Sequence, residues 1–181
     1  MFSGKQWTIV IQGVVSACFV IPVRYVFKEN FASFPLELSD GERFKFVFRC
    51  LTFSSLPLFA AVGKVANARF SNMETLGADP IAPVAPSQKA FKIAERVLQN
   101  TLEQTLLHVM TILALASSIE VDQLYIIPCM VLLFCIGRFV FSVGYSYDPM
   151  YRGFGFSTTV MPTYVGFSYA LFIIASRALF G

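Results

Sequence analysis

A chain of 181 residues in which 56% are hydrophobic and only 14% charged falls well short of the roughly one-quarter charge of an ordinary soluble domain. Its apolar residues come in long uninterrupted runs, an arrangement that excludes a water-soluble globule and is explained by insertion in a bilayer. The net charge of +3 is dispersed, with no basic stretch dense enough to track phosphates, which excludes nucleic acid as a partner.

The first run begins just after Lys5. From Trp7 to Val23 it has the look of a signal peptide, yet it lacks a small-x-small cleavage site and outlasts a usual h-region, so it reads as a retained anchor. Because a helix needs about 20 mostly apolar residues to cross the hydrocarbon core, the chain predicts five spans: Trp7 to Phe27, Phe46 to Asn67, Ala94 to Ser118, Gln123 to Ser146 and Thr158 to Leu179. The separators carry turn and polar residues. Lys28 to Lys45 holds Glu29, Asn30, Asp40 and Gly41, while Asn72 to Lys92 holds Gly77, Pro80, Pro83 and Pro86. The connection at Glu120 and Asp122 is so short that spans three and four must pack as an antiparallel hairpin. Basic residues divide almost evenly between the two sides, and the positive-inside rule only leans toward a cytosolic N-terminal side. The expected organisation is an N-terminal transmembrane anchor and loop over residues 1–45, then a four-helix membrane domain over 46–181.

Cys18, Cys50, Cys129 and Cys135 fall in or beside apolar runs without a C-x-x-C pair or a His/Cys cluster, so neither a disulfide framework nor a metal site is supported. His108 reads as an inter-helix hydrogen-bonding residue, and the 20 phenylalanines as core and lipid-facing filler.

The chemistry lies in the third span. At 100° per residue, Arg96, Asn100 and Glu103 project within about 60° of one another, forming a polar stripe on an otherwise apolar helix. An ionised side chain at membrane depth costs roughly 2.5–3.5 kcal/mol on insertion scales, so such a stripe requires partners. The fourth span supplies Arg138 and Tyr145, seven residues apart on one face, and Arg152 follows after another seven. Guanidinium forks bind carboxylates bidentately, and Glu103 would suit an ammonium, so a small peptide-like anion fits this inventory. The alternative is structural: Arg96, Arg138 and Glu103 pair with one another or snorkel, and hold the bundle together without a ligand.

The R-x-x-x-N-x-x-E stripe of Arg96, Asn100 and Glu103, the R-x(6)-Y pair of Arg138 and Tyr145 with Gly144, and Arg152 beyond it resemble the MAPEG family, the membrane-associated proteins in eicosanoid and glutathione metabolism. The likeness runs from about Phe46 to the end. It implies an all-α membrane fold, a four-helix bundle here preceded by one extra transmembrane helix, assembled as a homotrimer with glutathione between subunits. By resemblance, Arg96, Asn100, Glu103, Arg138 and Tyr145 hold the tripeptide, Arg69 is a second basic group, and Arg152 stands near the sulfur, where a cation favours thiolate over thiol. Phe141, where many members have tyrosine, and Gln104, where an aromatic is frequent, remove two expected contacts. The extra helix and the Arg152-Gly-Phe-Gly-Phe segment are more similar to the mattrin branch (transmembrane protein 79), associated with trafficking in endomembranes (endoplasmic reticulum, Golgi or lysosome) and not securely with catalysis. Three function classes therefore stand: a binding or trafficking protein with a glutathione-type pocket, a membrane glutathione transferase or peroxidase, and an accessory subunit of a larger membrane complex.

Overall fold

The computed structural model describes residues 3–31, 39–77, 85 and 88–180; Pro80, Pro83 and Pro86 of the expected proline-rich loop lie outside them. Six helices carry the fold: α1 (Gly4–Phe31), α2 (Asp40–Ser54), α3 (Leu56–Ser71), α4 (Lys89–Ser118), α5 (Ile126–Tyr147) and α6 (Gly153–Phe180). Among the described residues, four stretches are long and apolar enough to cross a membrane, namely Gly4–Asn30, Gly41–Ser71, Val121–Tyr147 and Pro149–Phe180. The chain is an all-α integral membrane protein. The expected third span, α4, is a helix of 30 residues, long enough to cross; the polar stripe in its first half sets it apart from the other four.

The second expected span is two helices instead of one, and the break follows from Pro57. Ser39 and Glu42 start α2 with a reciprocal capping box, and the helix runs to Ser54. Proline at 57 has no N–H to offer the carbonyl four residues back. That carbonyl, on Phe53, accepts the Cys135 thiol of α5 at 3.3 Å, so the break ties α2 to α5. One residue later in α2, Ser54 Oγ meets His108 Nε2 of α4 at 3.1 Å. The imidazole stacks on Phe134 at 4.3 Å, which gives His108 the inter-helix role read from the sequence.

Helices α5 and α6 approach closely at glycines. A Cβ on Gly155 would stand 2.3 Å from the Phe141 backbone nitrogen, and one on Gly137 would stand 3.0 Å from the Gly155 carbonyl oxygen. The Gly-Phe-Gly after Arg152 is thus a helix–helix contact, and α6 begins at Gly153, five residues before the expected start. The apolar core gathers at the opposite end of the bundle, where Ile112, Leu115, Ile127, Met130 and Ala170 pack together.

Helix α1 is held by polar contacts. The Gln12 side-chain amide donates to the Met150 carbonyl at 3.0 Å and accepts from Phe154 N–H at 3.1 Å, and a buried Ser16–Thr158 hydroxyl pair lies at 2.9 Å. In a bilayer, where lipid is as apolar as leucine, such bonds and close packing are what hold helices together.

Candidate functional site

The first half of α4, the end of α5, the Pro149–Arg152 turn and the start of α6 enclose a cleft of about 470 Å³, within the range of small-molecule sites. Arg96, Asn100, Glu103, Tyr145 and Arg152 line it. Two local features bring Arg152 back over the end of α5. Asp148 caps the turn by accepting from Met150 N–H at 2.7 Å. Gly144 leaves room for the returning chain, since a Cβ there would stand 2.6 Å from the Tyr151 carbonyl oxygen. The Arg152 guanidinium consequently lies 5.4 Å from the Tyr145 ring centre, a cation–π contact.

Arg138 forms the wall behind the stripe. It is 1% exposed and its Nη2 donates to Asn100 Oδ1 at 2.9 Å and to Thr101 Oγ1 at 3.3 Å. Its guanidinium also covers the Phe141 ring at 4.0 Å, so Phe141 serves as a platform for the cation. Nε and Nη1 of Arg138 are buried without a hydrogen-bond partner.

Glu103 does not pair with any arginine in the described residues: its Oε1 accepts from Gln99 Nε2 at 2.8 Å, and the salt bridges among those residues are Arg69–Glu95 and Arg177–Glu120. Mutual neutralisation of Arg96, Arg138 and Glu103 is therefore not the arrangement found. Three guanidinium groups and one carboxylate face or back one cleft, a surplus of positive charge suited to an anion with a small ammonium. Gln99 is a lining residue that the sequence reading passed over, although its i, i+4 relation to Glu103 was the available signal.

Arg69, expected as a second basic group here, stands elsewhere in this chain. It pairs with Glu95 at 3.1 Å and lies 5.6 Å from the Phe91 ring centre. Glu95 precedes Arg96 by one residue, hence about 100° around the helix, and that rotation directs the pair to the α3–α4 contact instead of the cleft. Gln104, one turn on from Asn100 and at the edge of the stripe, is buried and does not line the cleft.

No curated protein and no solved structure matches this chain. The model of the MAPEG family matches residues 47–172, a stretch that contains every cleft residue of the stripe, α5 and the turn, and the chain belongs to that family.

Proposed function

We propose that the cleft is a binding site for glutathione or a closely similar peptide anion, completed by neighbouring subunits of a homotrimer, and that the protein is a mattrin-like binding and trafficking component of endomembranes. The observation that carries this reading is the convergence of Arg96 and Arg152 with Asn100, Glu103 and Tyr145 on one cleft, backed by a buried Arg138 with two unpartnered nitrogens. Arg96 and Arg138 match the two carboxylates of the tripeptide, Glu103 matches its ammonium, and Arg152 is left for the sulfur. Arg96, Glu103 and Arg152 are exposed in the single chain, as half of a shared site would be.

Isothermal titration of the purified protein with glutathione tests it. Binding is expected, with affinity reduced roughly 10- to 100-fold in Arg96→Ala, the worth of a hydrogen bond to a charged group. Absence of both heat and thermal stabilisation at millimolar ligand would remove the proposal.

A second reading is favoured by the position of Arg152 over Tyr145. Glutathione, when bound, supplies a thiol nucleophile, and a guanidinium beside it holds the proton off the sulfur. In a transferase or peroxidase acting on a lipophilic electrophile or lipid hydroperoxide, Arg152→Ala would lose most turnover of a chromogenic aryl halide while glutathione still binds. Wild-type protein without turnover leaves the binding role alone. Stoichiometric co-purifying proteins would instead favour an accessory-subunit role.

A further inference from the structure

A second cleft, of about 720 Å³, opens at the other end of the bundle, where the latter half of α1 leans on α5 and α6. Its chemistry is graded along α1. Ala17, Val20, Ile21, Arg24 and Lys28 line it at helical spacing of three and four, so they form one face. The first three are apolar and the last two basic. From Ala17 to Lys28 this face runs about 16 Å, close to half of the roughly 30 Å hydrocarbon thickness. The opposite walls follow the same gradient. Leu133, Met161 and Pro162 lie toward the middle of the bundle; Gln123 and Tyr169, bonded to each other at 3.1 Å, lie at the rim.

The charge of the cleft lining is unbalanced. Among the described residues the lining has no carboxylate, neither Arg24 nor Lys28 is in a salt bridge, and Glu120 at this end is already paired with Arg177 at 2.8 Å. An apolar trough one leaflet deep, ending in two unpaired cations at headgroup level, is complementary to one kind of molecule. We propose that this cleft binds an anionic membrane phospholipid, its acyl chain lying against Val20, Leu133 and Pro162 and its phosphate held by Arg24 and Lys28. The site depends on α1, which precedes the family match at residue 47, and it is separate from the glutathione-type cleft, with which it shares no lining residue.

The test is lipid retention by the purified full chain in detergent, read by native mass spectrometry and by thermal unfolding, with dioleoylphosphatidylglycerol, dioleoylphosphatidylcholine and glycerol 3-phosphate as probes. Phosphatidylglycerol is expected to be retained and to raise Tm, and the other two are not. At roughly fivefold per cation at an anionic lipid surface, Arg24→Gln with Lys28→Gln should weaken retention about thirtyfold; both residues are exposed, so folding is not at stake. Val20→Trp should evict the lipid with both cations intact, its fold checked by helical circular dichroism and elution volume. Equal retention of phosphatidylcholine, unchanged retention in the double variant, or equal stabilisation by glycerol 3-phosphate would each overturn the proposal.

Discussion

A guanidinium buried in a membrane bundle needs compensation of several kinds, and Arg138 has three: the Asn100 amide oxygen, the Thr101 hydroxyl and the face of Phe141. Hydrogen bonds to charged groups are worth about 1.5–3 kcal/mol, and removing one partner leaves the charge buried and underserved. Asn100→Leu is therefore expected to cost about 1.5–3 kcal/mol. Arg138→Met removes the charge together with its needs, and should cost less while still abolishing anion binding. Urea unfolding in one detergent, alongside glutathione titration, reads both effects. The reverse order of stability would make Arg138 a structural tie. Spacing alone revealed the face shared by Arg96, Asn100 and Glu103, because helical angles are fixed by the backbone. It did not reveal that Glu103 turns to Gln99 or that Arg69 turns to Glu95, because those choices belong to side-chain rotamers and to the neighbour across the interface. Gln12 was illegible for a related reason: one amide in an apolar run has no periodicity, and its value appears only when Met150 and Phe154 stand opposite.

At the scale of elements, glycine has opposite meanings at two places. A methyl group on Gly155 would press on the Phe141 and Gly137 backbones, which have no flexible end to yield, whereas one on Gly13 would meet Ser157 Oγ at an ordinary 3.8 Å. Gly155→Ala should destabilise by about 1–3 kcal/mol through overpacking and displace α6, and with it Arg152, from α5. Gly13→Ala should be neutral or stabilising by up to about 1 kcal/mol from helix propensity. Thermal unfolding of the pair distinguishes a packing contact from a flexible linker, since a linker would tolerate both. Helix existence was legible here from run length and hydropathy. The starts of α4 and α6 were not, because polar or glycine-rich first turns look like loop until the partner helix is in place, and the break at Ser55 needed Pro57 and Cys135 to be read together.

For the whole molecule, the decisive element is α4, since it is both the carrier of the site and the most polar of the long helices. At 1.5 Å per residue, Glu103 lies about 22 Å and Arg96 about 33 Å from the Ser118 end. With a hydrocarbon core of roughly 30 Å, the stripe then straddles the boundary on the N-terminal side. Charges at that depth reach headgroups and water, so α4 can cross despite them, and the proposed peptide ligand would reach the cleft from water. Crossing by all five segments puts Lys5 and Ser146 on one side and Asp122 on the other. In proteoliposomes of uniform orientation, a membrane-impermeant maleimide should label Lys5→Cys and Ser146→Cys from the same face and Asp122→Cys from the opposite one; all three positions are exposed. Labelling of Asp122→Cys together with Lys5→Cys would mean that α4 does not cross, and the cleft would then face a different environment from the one its charges require.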